Sequence, residues 1–513
     1  MSHCSLENQN PNLWLKDDLS INHIVRAAIR RRSLLKTPES KTHKLDFPKN
    51  DFSSFISDEI LLNILSKNTD KSQRDANCLV SKRWLCVQGR VVRSVKVLDW
   101  DFLISGRMFL RFPNLTHVDL LCASVVSGSS ALNPSVYIGR ELGCIGVSGD
   151  EFLCDDGDVV LPVEEVDFGL KVLSSVYPNL RRLVVVNCSE LGLLSVAEEC
   201  VTMQELVLHM CNDSVLIGIA AFSNLQILKI VGVVDGVYKS LVSDRGLIIL
   251  AQGCKRLVKL ELRGCEGGYE GIKAIGECCQ MLEELTFCDH RMDDGWLSGI
   301  SYCENLKTLR FVSCKGIDRN CEVDEILGVC PMLERLHLEK CQLRDKQSVR
   351  GLFVVCQNVM EVVFEKCWGL NDAVFFNASL CRRLRFVSIE GCSRLTTQGL
   401  ETVVLSWKEL ESLTVISCKN IKDDEVTPML SALFSDLKDF KWCPGNMSDL
   451  STRLSSSDMG RRGGKFFKRY HQQIIQIRDT GWENLKAATT TSSVVKPNRF
   501  DSSTPQWLTR NRS

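Results

Sequence analysis

The residues in this 513-residue chain that could do the most chemistry are its cysteines, of which 25 are present. Six pairs stand eleven residues apart, as in CPMLERLHLEKC from Cys330 to Cys341. Zinc and redox sites favour the spacing CxxC, and no two cysteines here are three residues apart. The eight histidines are scattered singly, without HExxH spacing. The sequence therefore predicts no metal site and no cofactor, and the cysteines are interpreted as packing residues.

The cysteine pairs bracket one repeated pattern: apolar residues at positions 1, 4 and 6, then a small residue, usually cysteine, at position 9. Leu257, Leu260, Leu262 and Cys265 form one copy. Position 1 of the successive copies is Leu115, Leu180, Met203, Leu225, Leu257, Leu282, Leu306, Leu333, Val359, Leu384, Leu410 and Leu437. From Leu180 onward the copies start 22 to 32 residues apart, which resembles the cysteine-containing subtype of leucine-rich repeat.

Each copy predicts a short strand followed by a helix. Positions 4 and 6 alternate as in a strand, so both side chains point into one core, and position 9 follows where the chain leaves the strand. In SDRGLIILAQGC, Ser243 or Asp244 can cap a helix whose buried stripe is Leu247, Leu250 and Cys254. We therefore predict an α/β solenoid over residues 110–445, with about 12 repeats, a concave parallel sheet and convex helices.

One region interrupts the repeats, near residues 122–160. Ser127–Asp158 is rich in Gly, Ser and Asp and is predicted to be an inserted loop. Disorder is favoured for it, and the alternative is a loop that overhangs the concave face. Val159–Leu173 is interpreted as one degenerate repeat.

Residues 51–100 precede the repeats and carry two helical apolar patterns, the first capped by Ser57 or Asp58. The bland interpretation is a helical cap on the end of the solenoid. The segment also resembles an F-box, in Ile56-Ser57-Asp58-Glu59-Ile60-Leu61 and in Leu79-Val80-Ser81-Lys82-Arg83-Trp84. The resemblance implies that a Skp-type adaptor binds the apolar residues Ile56, Ile60, Leu61, Ile64, Leu65, Leu79, Val80 and Trp84.

The resemblance to F-box proteins with leucine-rich repeats, here plant-like, also implies a function. The adaptor would link the chain to a cullin, and the solenoid would hold a protein substrate for ubiquitination. The chain itself would be no enzyme, and its sequence supplies no nucleophile–base constellation. Two alternatives are a leucine-rich-repeat scaffold without ligase coupling and a small-molecule-dependent receptor of the same family.

Positions 3, 5 and 7 of each repeat are predicted to project from the concave face. The middle copies offer basic residues and a histidine there: Lys229, Lys259, Arg263, Arg310, Arg335 and His337. Later copies offer Glu339, Glu361, Glu365 and Glu390. Our hypothesis is that this basic zone beside an acidic zone orients the target protein, and the alternative is a merely solvated face.

The composition of the chain indicates which kinds of partner and which cellular compartment to expect. The 63 basic residues balance 63 acidic ones, which argues against nucleic-acid or membrane partners. The N-terminus carries Asp17 and Asp18 where a secretory signal would be apolar. We therefore expect a soluble protein of the nucleus or cytoplasm, with irregular tails at 1–50 and 446–513. Basic clusters at Arg26–Arg32 and Arg461–Arg469 could direct nuclear import or be solvated charge.

Overall fold

A computed structural model describes residues 55–445, except residue 69, 127–135, 139–158, 233–241, 292–294 and 317–327. The predicted tails, their basic clusters and most of the predicted insertion lie outside these residues. None of the helices in the described part is both long enough and apolar enough to cross a membrane.

The described chain begins with three helices and then alternates mainly between strands and helices. The helices are α1 Asp58–Ser66, α2 Lys71–Val80, α3 Lys82–Val91, α4 Trp100–Ile104, α5 Arg107–Arg111, α6 Val163–Val176, α7 Glu190–Glu199, α8 Asp213–Ile219, α9 Asp244–Gly253, α10 Tyr269–Cys278, α11 Trp296–Ile300, α12 Lys346–Val355, α13 Asp372–Phe375, α14 Thr397–Val404 and α15 Pro428–Asp436. The strands are β1 Ser94–Val97, β2 His117–Asp119, β3 Val125–Val126, β4 Val136–Ile138, β5 Val159–Val160, β6 Arg182–Val186, β7 Glu205–His209, β8 Ile227–Val231, β9 Lys259–Arg263, β10 Glu284–Cys288, β11 Thr308–Val312, β12 Arg335–Glu339, β13 Glu361–Glu365, β14 Phe386–Glu390, β15 Ser412–Ile416 and β16 Asp439–Cys443. Two 3₁₀ turns occupy Phe376–Leu380 and Asp423–Glu425.

Fourteen of these strands form one open sheet, in the order β16 to β6, β2, β1, β4. Every pairing is parallel except that of β1 with β4. Each predicted repeat copy coincides with a strand, and its residues at positions 4 and 6 are buried, apart from half-buried Phe440. The predicted leucine-rich-repeat architecture is confirmed, because parallel neighbours one repeat apart require a crossover through each intervening segment.

The sheet contains one strand that the repeat pattern missed. Strand β1 pairs with β2 in parallel, so the sheet begins at Ser94, within the range assigned to the F-box-like segment. Val92, Val95 and Val97 occupy positions 1, 4 and 6 of a copy and are buried. Trp100 stands at position 9 of this copy, where other copies carry a small residue. Because tryptophan is bulky, this copy was not recognised, although its other three positions fit the repeat pattern.

The predicted insertion is attached to the repeats by ordered chain. Strands β3 and β5 pair in antiparallel fashion at its base, and β4 joins the main sheet beside β1. The preference for disorder is therefore wrong for residues 136–138. Strand β2 pairs directly with β6, and Val163–Val176 is a helix. The interpretation of Val159–Leu173 as a degenerate repeat is wrong as well, because no strand of the sheet lies between β2 and β6.

The repeat cysteines are interior residues with one recurring polar contact. For Cys314, Cys341, Cys367 and Cys418 the thiol at position 9 lies within hydrogen-bonding distance of the position-6 carbonyl of the preceding repeat, for example 3.4 Å from Cys341 to Phe311 O and 3.2 Å from Cys367 to Leu338 O. His290 takes the place of this cysteine in its repeat, and its Nε2 lies 3.2 Å from Leu262 O. A buried carbonyl needs a donor. In these repeats a compact side chain at position 9 that can donate a hydrogen bond therefore satisfies the carbonyl.

In most repeats the residue just before position 9 ends the strand with a left-handed turn. Its φ is positive at Asn187, Met210, Asp289, Ser313, Lys340, Lys366 and Ser417, and also at Gly264 and Gly391. Residues other than glycine are sterically disfavoured in the left-handed region. The neighbouring hydrogen bonds and packing hold the backbone in this turn despite that cost. The residue types at this position therefore did not predict the turn.

Burial makes most of the repeat thiols chemically inert. Desolvation raises the pKa of the Cys188, Cys254 and Cys330 thiols to about 12, so the reactive thiolate is scarce at neutral pH. We expect a maleimide to label the exposed Cys86 and Cys443 rapidly in the folded protein and the three buried thiols only after denaturation. Peptide mass spectrometry of native and denatured samples measures this. Native labelling of Cys330 as fast as that of Cys86 would contradict the interpretation.

Candidate functional site

The helical segment before the sheet has its own small core. Leu61, Leu65 and Val87 are buried together, and Ile56 and Trp84 pack against them. Ser57 caps α1 by accepting a hydrogen bond from Ile60 N. Four of the eight predicted adaptor contacts, Ile56, Leu61, Leu65 and Trp84, thus belong to the core that holds α1 against α3.

Arg83 ties the start of the segment to α3. Its Nε donates to Asp58 Oδ1 at 2.8 Å, and its guanidinium also donates to the carbonyl of Ile56. Both acceptors lie at the N-terminal end of α1, where Asp58 is favourable to the helix dipole. These bonds fix the angle between α1 and α3.

Four predicted adaptor contacts remain on the outside of this core. Ile60 and Ile64 are 54% and 53% exposed, one helical turn apart on α1. Leu79 and Val80, at the end of α2, are 87% and 60% exposed. Four large apolar side chains left exposed are a cost to an isolated protein and are candidates for a protein-binding surface. We call these four residues the apolar face.

The helical segment is joined firmly to the first repeats. The Arg111 guanidinium, at the end of α5, donates to the carbonyl of Leu85 in α3, and Asn114 donates to Arg90 O at 2.8 Å. Arg93 in turn donates to Asn114 O at 3.2 Å. Gly89 lies at the contact, where the space for a Cβ is filled by the Arg111 carbonyl. The segment and the sheet therefore share one continuous packing.

The second candidate surface is the open face of the sheet, on which positions 3, 5 and 7 lie in lateral rows. The register aligns Lys229 with Glu261, Lys259 with Glu284, and Arg335 with Glu361. It also places Glu339, Glu365 and Glu390 side by side on three successive strands. The register therefore brings these residues next to one another across neighbouring strands.

The basic residues of this face are paired with carboxylates on the following element. Lys229 lies 2.9 Å from Glu261, Lys259 2.7 Å from Glu284, and Arg263 3.5 Å from Asp289. The predicted basic zone is thus a ladder of ion pairs between strands. The sequence pattern missed an ion pair of the same kind on two earlier strands, between Arg182 and Glu205 at 2.8 Å, although both residues occupy position 3 of their repeats.

Arg310 and Arg335 are the exposed members of the predicted basic set. Arg310 lies 3.2 Å from Glu339. Burial would raise the pKa of Glu339, yet Lys340 and Arg310 together hold it below its usual value. Burial raises the pKa of Glu361, and Arg335 beside it opposes this shift. The two exposed arginines can therefore donate hydrogen bonds from their guanidinium groups to a binding partner. The carboxylates beside them differ in acidity.

At its N-terminal end the open face is apolar and covered. Val184, Val186, Val207 and Val231 occupy positions 5 and 7 and are buried in one cluster with Leu121. Val160, at the end of the insertion, packs against this cluster. The base of the insertion therefore lies on the open face, and the accessible face extends over the later repeats.

Sequence reasoning also missed an exposed aromatic residue. Trp368 follows position 9 of the repeat of β13 and is 65% exposed. It lies one residue beyond Cys367, in a turn that carries no repeat consensus. Exposed tryptophan is enriched among residues that dominate binding energy at protein interfaces.

Comparison with known proteins adds the family relationship. The chain is 22% identical over 419 residues to the F-box protein MAX2 homolog A of Petunia hybrida, covering 71% of this chain and 57% of that protein. It is 26% identical over 212 residues to the F-box protein MAX2 homolog B of the same plant, covering 39% of this chain and 28% of that protein. The chain is homologous to plant F-box proteins. It spans little more than half the length of the first of these relatives.

No family model matches the chain. Among solved structures, an internalin of Listeria monocytogenes aligns with 53% of this chain and 70% of its own, at 15% identity and a TM-score of 0.32. The leucine-rich-repeat assignment stands on the sheet itself, with its parallel order and its buried positions 4 and 6.

Proposed function

We propose that the chain is the substrate-recognition subunit of a Skp–cullin–F-box ubiquitin ligase. The observation that carries this proposal is the apolar face of Ile60, Ile64, Leu79 and Val80, on an F-box-like segment packed onto the repeats. Full burial of such a side chain stabilises a complex by about 1.5–3 kcal/mol. A Skp-type adaptor covers the apolar face and links the chain to a cullin.

The open face binds the target protein in this proposal. Arg310, Arg335 and Trp368 are exposed, and the neighbouring glutamates provide hydrogen-bond acceptors. The chain then performs no chemical step. It raises the local concentration of a substrate lysine beside an enzyme that carries ubiquitin.

Purification of the full chain from cells with the proteasome inhibited tests both halves of the proposal. A Skp-type adaptor and a cullin should co-purify in stoichiometric amount, together with a target protein. Recovery of a target without the adaptor would instead select a leucine-rich-repeat scaffold. A target recovered only when a small molecule is added would select a ligand-dependent receptor.

Charge reversal on the open face should separate target binding from adaptor binding. We expect Arg310→Glu with Arg335→Glu to lower target recovery at least ~10-fold, because each lost guanidinium leaves a carboxylate facing a like charge. Adaptor recovery should not change. The matched control is Arg245→Glu with Arg350→Glu, two exposed arginines on helices α9 and α12. Unchanged target recovery in the first variant would remove the open face from the proposal.

A further inference from the structure

A histidine and two glutamates converge on the open face at strands β12 and β13. His337 and Glu339 occupy positions 5 and 7 of one strand, and Glu365 is the register partner of Glu339 on the next. Their nearest ligand atoms all lie within 4.8 Å of one another. His337 Nε2 is 4.0 Å from Glu339 Oε2. Such a cluster occurs once in the part of the chain that the structure describes.

The histidine is a free ligand aimed into a protected space. Its Nε2 is inaccessible to water and has no hydrogen-bond partner among the described residues. The side chains of His337, Glu339 and Glu365 are only 25%, 18% and 19% exposed. A buried polar atom without a partner is unfavourable, and a metal ion would remove this penalty by accepting its lone pair.

We propose that His337, Glu339 and Glu365 bind a divalent transition-metal ion, with zinc as the best fit. One imidazole and two carboxylates match three-ligand zinc sites, which leave a fourth position for water or a partner side chain. Calcium and magnesium prefer oxygen ligands alone, so the imidazole disfavours them. A tetrahedral ion with ligands at about 2.1 Å needs ligand atoms about 3.4 Å apart, and movements of about 1 Å provide this.

Three cations compete for the two carboxylates. Arg310 lies 3.2 Å and Lys340 3.4 Å from Glu339, and Lys366 lies 3.0 Å from Glu365. These cations are 44%, 49% and 47% exposed. Ion pairs between side chains this exposed are weak. Zinc can displace them, and each carboxylate has two oxygens with which to hold both a cation and the metal.

The inference goes beyond the proposed ligase function and does not depend on it. Zinc chloride is titrated into the full chain in competition with a chromophoric chelator. One equivalent should bind, and His337→Ala should lower the affinity at least ~100-fold. The matched control is His117→Ala, because His117 and Asp119 have the same spacing on β2 without a third ligand. Glu365→Gln, on a half-buried side chain, provides an independent loss should His337→Ala fail to fold.

Cobalt(II) distinguishes this site from zinc captured by cysteine. Bound by nitrogen and oxygen, cobalt lacks the ultraviolet sulfur-to-metal charge-transfer band, and that absence is expected. A thiolate band, equal affinity in wild type and Glu365→Gln, or no saturable equivalent in the wild type would each overturn the proposal. Loss of affinity in His117→Ala equal to that in His337→Ala would overturn it as well.

Discussion

Replacing Ile64 and Leu79 with aspartate is expected to lower affinity for a Skp-type adaptor at least ~100-fold. Each substitution removes an apolar contact of about 1.5–3 kcal/mol and places a carboxylate that must be desolvated in the complex. Together these losses exceed the ~2.7 kcal/mol that corresponds to 100-fold. Isothermal titration calorimetry of the full chain with purified adaptor measures the change.

The same double substitution should leave folding almost unchanged, because both side chains are exposed. Leu61→Ala provides the contrast. Leu61 is buried in the segment, so its loss should destabilise the segment by about 2–5 kcal/mol and weaken adaptor binding only through unfolding. Circular dichroism on all variants separates the two effects.

Leu191→Asp with Val201→Asp is the matched control for the apolar face. Leu191 and Val201 are 55% and 65% exposed, against 53% and 87% for Ile64 and Leu79, but they lie on the repeats. Adaptor affinity should not change in this control. Equal affinity of the Ile64 and Leu79 variant and the wild type would refute adaptor docking through the apolar face, and the helical segment would then be a cap of the solenoid.

The repeat pattern predicted the sheet well because it depends on local periodicity. In almost every repeat the strand buries the side chains at positions 4 and 6, so the residue spacing alone predicts twelve strands. Strand β1 escaped because Trp100 replaces the small residue at position 9. Strand β4 escaped because its antiparallel pairing with β1 is a long-range contact that no repeat period encodes.

The candidate sites were predicted less completely, since each depends on contacts between elements. The F-box pattern located eight apolar residues but could not separate Leu61, in the core, from Ile64, on the surface. That division follows from the way α3 packs on α1. On the open face, the pattern listed cations and anions, whereas pairs such as Lys229 with Glu261 arise only from lateral register. The cluster at His337 was missed for the same reason.

Gly89→Ala is expected to destabilise the protein, although alanine favours helices over glycine by about 1 kcal/mol. Gly89 lies within α3, and a Cβ there would stand 2.0 Å from the carbonyl oxygen of Arg111. Since that oxygen belongs to the backbone, the helix or α5 must move. Overpacking of this kind costs about 1–3 kcal/mol, occasionally more. Denaturant unfolding measures the loss of stability, and hydrogen exchange should rise in α3.

Two further variants identify the cause of that loss. Gly445→Ala should have little effect, because no atom lies within 4 Å of the position of its Cβ. Arg111→Ala should fail to rescue Gly89→Ala, since it removes the guanidinium but leaves the opposing carbonyl. Rescue would mean that the side chain at 2.7 Å, and not the backbone, sets the limit.

The consequence of this contact extends to the proposed function. A receptor that delivers a target lysine to a distant enzyme needs a fixed geometry between its two binding surfaces, because effective concentration falls when the span varies. Here the chain passes from α3 to β1 through a short link, and the Gly89–Arg111 contact braces it. We therefore expect Gly89→Ala to lower target ubiquitination more than adaptor binding or target binding measured singly. Equal losses in all three measurements would show that the contact serves stability alone.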